Sequence, residues 1–150
     1  MRIEQIYTKL LAEHSHSNRN KHHIENPTTV LRGINPSCGD EIELELREKE
    51  GVIEDAAFTG IGCAFSQASA SVMIDLIKGK TTDTALKIAD VFLGMIMNKI
   101  TDAEQLAVLG TAVAFRDISH MPARVKCAVL PWNTLESALK NEEDELNREP

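Results

Sequence analysis

Residues 41–60 read EIELELREKEGVIEDAAFTG, and their pattern decides the fold. Ile42, Leu44 and Leu46 alternate with Glu41, Glu43 and Glu45. That period of two is what a strand with one apolar and one wet face requires. Residues Glu48 to Gly51 supply a turn, and Val52 to Phe58 return as the second arm of a hairpin. Upstream, TTVLRGIN (residues 28–35) is β-branched at its start and reads as a further strand. A small three-stranded antiparallel sheet with helices over its apolar face follows. The glutamates of the first arm are most simply its wet face rather than a carboxylate pair.

Outward from the hairpin the period changes. At the N-terminus, Ile3, Ile6, Tyr7, Leu10 and Leu11 share one helical face, and the helix should stop within the polar run HSHSNRNKHH. After Gly60 and Gly62, AFSQASASVMIDLIKG reads as a helix with a small-residue first half, ended by Gly79. A second helix is predicted from Asp83 to Met97 with Asp83 as N-cap. TDAEQLAVLG opens another, Thr101 and Glu104 being spaced as a capping box. The last helix should run from about Pro122 to Lys140, with Val125, Val129, Trp132, Leu135 and Leu139 on one face. No internal repeat and no linker divide the chain. Strands early and helices late give one α+β domain over residues 1–150, with an acidic tail from about 141 to 150 expected to be disordered.

Composition narrows the function. With 150 residues, 43% of them hydrophobic, the chain can bury a real core. No run approaches the roughly 20 apolar residues that cross a bilayer, and the N-terminus lacks the apolar core of a secretion signal. A cytoplasmic protein is expected, in which cysteines stay reduced. The net charge of −7 and the scarcity of aromatic residues argue against nucleic acid as a partner.

Three cysteines remain to be explained. Cys38 sits in NPSCGD, two residues from Asp40, where Gly39 permits a tight turn. Cys63 lies in GIGCAFSQAS at a helix start, where unpaired N–H groups and the helix dipole favour a thiolate. Cys127 lies in ARVKCAVLPW beside Arg124 and Lys126, whose charges favour its thiolate too. Pro131, four residues on, cannot donate a helical hydrogen bond to the Cys127 carbonyl, so either the helix kinks or Cys127 precedes its regular part. Singly, each residue has an equally plain reading as a turn or core cysteine. Jointly, three thiolates and a carboxylate make a four-ligand tetrahedral set suited to Zn²⁺. Its excess negative charge would be partly offset by Arg124 and Lys126. Iron with sulfide is the other chemistry that such thiolates support.

In order, NPSCGD, GIGCAFSQASAS and PARVKC closely resemble the U-type proteins of iron–sulfur cluster biogenesis, from the first helix to about Leu139. The resemblance implies the fold already read from the pattern, with Cys38, Asp40, Cys63 and Cys127 as metal ligands. Two features look like the SufU branch of that family rather than its IscU-like scaffold branch. Lys126 stands where the scaffold branch has a histidine before the third cysteine, and the 63 residues between Cys63 and Cys127 are more than that branch has. The extra material is expected between Met97 and Asp117. Membership of the SufU branch implies bound zinc and a role as sulfur acceptor for a SufS-like cysteine desulfurase, feeding the downstream Suf cluster-assembly complex. Cys38 would receive the persulfide, and Arg124 matches the family's functional arginine. The alternatives are a scaffold assembling a [2Fe–2S] cluster, or binding iron, on the same residues, and a purely structural zinc module.

Two departures from the family pattern stand out. Ser17-Asn18-Arg19-Asn20 lacks the usual proline before Arg-Asn, and Pro131 replaces a residue that normally continues the last helix. Of the histidines, His14, His16, His22 and His23 fall in or beside the polar run and are expected to be solvated. His120 is near Cys127 in sequence, and its plainer reading is also as a bystander.

Overall fold

The computed structural model describes residues 3–15, 17–36 and 39–147, with side chains at all of these except 3, 4, 6, 7, 15 and 141–147. Cys38 and His16 therefore lie outside the described residues, as do the side chains of Ile3, Ile6 and Tyr7. The chain forms α1 (Ile3–Ser15), then a meander of β1 (Thr29–Asn35), β2 (Asp40–Lys49) and β3 (Val52–Ile61). The helices α2 (Ala64–Ile77), α3 (Thr82–Ile96), α4 (Ala103–Leu106) and α5 (Pro122–Asn147) follow, with a 3₁₀ segment over Ala107–His120 between the last two. The α+β expectation and the three-stranded antiparallel sheet both hold.

Sheet order is β1-β2-β3, both pairings antiparallel. In register, Leu31 faces Leu44 and Leu44 faces Phe58, while Ile34 faces Glu41 and Glu41 faces Ile61. Successive side chains alternate between faces, so Ile42, Leu44, Leu46, Ala56 and Phe58 all lie in the hydrophobic core. Helices α2 and α5 pack on this face, and α1, α3 and the 3₁₀ segment pack behind them. Phe92 of α3 stacks on Trp132 of α5 with centroids 4.2 Å apart and meets Phe115 edge-on at 5.9 Å. Such pairs add about 0.5–1.5 kcal/mol each beyond burial. Among the described residues, no helix is long and apolar enough to cross a membrane.

Local chemistry explains where the observed elements differ from expectation. The N-cap of α3 is Thr81, not Asp83: its hydroxyl accepts from the Thr84 N–H at 3.1 Å, and Asp83 falls in the first turn. The Thr101–Glu104 capping box does not form. The N-cap of α4 is Asp102, without a side-chain cap bond, and the α-helix gives way after Leu106 to 3₁₀ turns that break at Gly110 (φ 52°, ψ −128°). Only glycine adopts such a conformation readily. At the other end α5 runs on to Asn147, through residues 141–147 that were expected to be disordered. No Gly or Pro between Trp132 and Glu149 stops it.

Pro131 lies inside α5, and Cys127 is within that helix rather than ahead of it. Pro131 has no N–H to offer the Cys127 carbonyl, and two side chains bond carbonyls on either side of it. Ser69 Oγ donates to the neighbouring Ala128 carbonyl at 2.6 Å, and Thr134 Oγ1 donates to the Leu130 carbonyl at 2.8 Å.

Candidate metal centre

Asp40, Cys63 and Cys127 come from three elements that meet at one end of the sheet. Asp40 opens β2, paired with Asn35 of β1, and is 5% exposed. The turn before it closes with a 2.9 Å hydrogen bond from the Gly39 N–H to the Asn35 carbonyl, and Gly39 has φ +77°. Cys38 directly precedes Gly39 in the sequence and lies outside the described residues. Asp40 faces the core with Ile42 and Leu44, so its carboxylate points toward the helix layer.

Cys63 is the N-cap of α2, in extended conformation (φ −74°, ψ 169°). Its carbonyl accepts from the Gln67 N–H at 3.1 Å and from Ser66 Oγ at 3.0 Å. That arrangement sets its side chain at the positive end of the helix, as the sequence led one to expect. Its thiol lies 3.8 Å from Asp40 Oδ2. Cys127, buried within the second turn of α5, lies 3.8 Å from the Ala123 carbonyl through its sulfur.

One potential ligand atom from each of Asp40, Cys63 and Cys127 lies within 4.8 Å of the others. Gly62 makes the approach possible. A Cβ there would stand 2.3 Å from Ser66 Oγ and 3.2 Å from Asp40 Cγ, so a larger residue would displace the carboxylate. Neither cysteine is in a disulfide. Two thiol sulfurs and a carboxylate oxygen gathered around a common point fit a tetrahedral zinc ion with a fourth ligand still to come.

Arg124 is exposed on α5, one helical turn before Cys127, and its guanidinium lies 4.5 Å above the Phe65 ring. Phe65 stands two residues after Cys63, so this cation–π contact seats the positive charge beside the cluster. Phe65 was missed in the sequence; an aromatic residue just inside the helix after Cys63 was the available signal.

The histidines divide differently from expectation. His14 lies in the last turn of α1 and is buried, with Nδ1 2.7 Å from Ser71 Oγ, rather than solvated. His22 is exposed and its ring nitrogens meet backbone carbonyls of Arg19 and His23. His120 is exposed and is not part of the Asp40–Cys63–Cys127 group. Glu45, read as part of a wet face, is only 5% exposed, because His23 lies over it with Nδ1 2.6 Å from Oε2.

Comparison with known proteins points the same way. The NifU-like N terminal domain family matches residues 6–144. The chain is 38% identical over 141 residues to the zinc-dependent sulfurtransferase SufU of Bacillus subtilis (strain 168), covering 94% of each. It is 35% identical over 140 residues to the iron–sulfur cluster assembly scaffold protein IscU of Thermotoga maritima, covering 93% of this chain and 96% of that one. Among solved structures, a candidate iron–sulfur cluster assembly scaffold for the SUF system from Fervidobacterium islandicum AW-1 (FiSufU) superposes with a TM-score of 0.83. It is 41% identical, over 91% of this chain and 98% of that one.

Proposed function

The chain belongs to the NifU-like N terminal domain family, and from that premise we propose that it is an iron–sulfur cluster assembly protein acting as a zinc-dependent sulfurtransferase. The observation that carries this reading is the convergence of Asp40, Cys63 and Cys127 at one point. Cys38, two residues before Asp40 in sequence, is the fourth ligand and the sulfur acceptor. A cysteine desulfurase of the SufS type is the donor, the downstream Suf complex receives the sulfur, and the work is done in the cytoplasm.

Zinc, when bound, keeps the thiols deprotonated and the ligand set assembled. The rest is the work of the chain's own groups. Asp40 is the oxygen ligand, harder than a thiolate and easier to exchange. Cys63 and Cys127 stand on helices and serve as anchors, whereas Cys38 directly precedes Gly39 in the sequence, beside the start of β2. In the transfer step the Cys38 thiolate attacks the outer sulfur of the donor's cysteine persulfide. A new S–S bond forms at Cys38, the donor's S–S bond breaks, and its thiolate leaves, so that no net oxidation occurs. Arg124, held on Phe65, supplies positive charge for the anionic sulfur that results.

A second reading, an IscU-like scaffold holding a [2Fe–2S] cluster on the same residues, is favoured by the relatives named as scaffolds. Lys126 in place of a histidine before Cys127 supports zinc and sulfur transfer instead. Two measurements decide. Protein purified without added iron should contain about one zinc per chain and no cluster chromophore, and Cys38→Ser should abolish stimulation of the desulfurase. A stable brown cluster without zinc would overturn the first reading. Full stimulation by the Cys38→Ser protein would reduce the site to a structural zinc module.

A further inference from the structure

We propose that His23, Glu43 and Glu45 form a second, sulfur-free site for a divalent first-row transition-metal ion on the outer face of the sheet. One nitrogen of His23 and one oxygen from each glutamate lie within 4.8 Å of one another. The donors come from two separate parts of the chain. Glu43 and Glu45 are same-face neighbours on β2. His23 arrives from the segment joining α1 to β1, which runs beside β3: the Phe58 N–H donates to the Asn20 carbonyl at 3.0 Å, and Lys21 bridges Phe58 in parallel. This path carries the imidazole across the sheet edge to Glu45.

The charge of the two carboxylates suits a cation. Glu45 is buried, and the partner of its Oε2 is an imidazole whose side chain is 71% exposed, while Glu43 adds a second carboxylate alongside. Two cations in the neighbouring positions are engaged by other carboxylates. Arg32, opposite Glu43 in register, bonds Glu41 at 2.8 Å, and Arg47 pairs with Glu54 at 3.3 Å. One imidazole and two carboxylates without sulfur suit Fe²⁺, Co²⁺, Mn²⁺ or Zn²⁺ rather than soft ions.

The geometry needs little adjustment. Metal–ligand distances of about 2.0–2.2 Å place donors roughly 3–3.5 Å apart around one ion. The 2.6 Å His23–Glu45 contact would open slightly and Glu43, half-buried, would close. Because His23 faces solvent, water would complete the coordination sphere, which makes this an exchangeable site and not a closed structural one. It is also distinct from the Asp40 cluster. Asp40 points to the opposite face of the sheet, and Glu43 and Glu45 lie about 10 and 17 Å farther along the strand at its usual rise.

Titration of the zinc-loaded protein with Co²⁺, followed by visible and near-ultraviolet absorption, tests the proposal. One further equivalent should bind with weak d–d bands and no sulfur-to-metal charge-transfer band. In both His23→Ala and Glu45→Gln its affinity should fall by about tenfold or more, while each variant keeps its zinc. His23→Ala removes an exposed side chain, so it keeps the test valid if Glu45→Gln disturbs the fold. Absence of a further equivalent would overturn the proposal. So would unchanged binding in the variants, or a charge-transfer band showing that Co²⁺ had entered the cysteine cluster.

Discussion

Trp132 of α5 donates its indole N–H to Ser69 Oγ of α2 at 3.0 Å, and both side chains are fully buried. The same hydroxyl donates to the Ala128 carbonyl at 2.6 Å. One serine thus joins the helix that begins at Cys63 to the helix that holds Cys127, beside the turn that Pro131 weakens. Ser69→Ala leaves a buried indole N–H and a carbonyl without this partner. The expected loss is about 1–3 kcal/mol of unfolding free energy, to be read from urea denaturation of the zinc-loaded protein. A loss below the error of that measurement would show that the two helices do not depend on the link.

Gly62 leaves room for Asp40, and the prediction there is local. Gly62→Ala should push the Asp40 carboxylate away from Cys63, because the new Cβ would fall 3.2 Å from Asp40 Cγ and 2.3 Å from Ser66 Oγ. Competition with a chelator should show zinc held more weakly by tenfold or so, with the far-ultraviolet circular dichroism unchanged. Asp40→Ala should weaken zinc in the same direction and by more. Equal zinc affinity in all three proteins would remove Asp40 from the ligand set.

His14 makes stability depend on pH. Burial pulls its pKa below the ordinary 6.5, against the opposing influence of Asp75; Arg19 lowers it further and Glu13 raises it. The unfolded chain therefore takes up the proton more readily than the folded one. The full contribution is present above pH 6.5 and is lost progressively as pH falls below 6.5 through the folded value. In His14→Gln this fall should flatten, since glutamine can still reach Ser71 and does not titrate. Urea midpoints of both proteins at several pH values between about 5 and 7.5 measure it. Parallel curves would mean that His14 does not set the slope.

Removing the metal tests how far the site supports the fold. On the proposed function, zinc binds the folded arrangement of three elements and has no preformed site in the unfolded chain, so chelation should lower the melting temperature. The drop should grow with the free zinc concentration of the reference sample, as mass action requires. A melting temperature indifferent to chelation would show that these elements stay assembled without the ion.

Much of the fold was legible from Glu41 to Gly60 because a strand's side-chain period is local and the alternation of Ile42, Leu44 and Leu46 with glutamates is unbroken. Helix α2 and its Cys63 start were legible from its small-residue first half and the glycines on both sides. The cap of α3 was misplaced by two residues because Thr81 and Asp83 are both good caps, and only the chain direction selects between them. Cys127 was harder to place, since Pro131 fits either a kink or a helix start.

The sequence by itself determined the residue types of the candidate metal centre and the strand and helix that deliver Asp40 and Cys63, since both follow from short-range pattern and donor chemistry. Only the tertiary structure decided that Asp40, Cys63 and Cys127 come within 4.8 Å, that His14 is buried against Ser71, and that His23 covers Glu45. These pairs join segments 22 to 87 residues apart. Their distances depend on how the aperiodic segment from His16 to Thr28 and the turns around the sheet direct the chain. No local propensity encodes that path; it is fixed when β1, β2 and β3 bury their shared apolar face beneath α2 and α5.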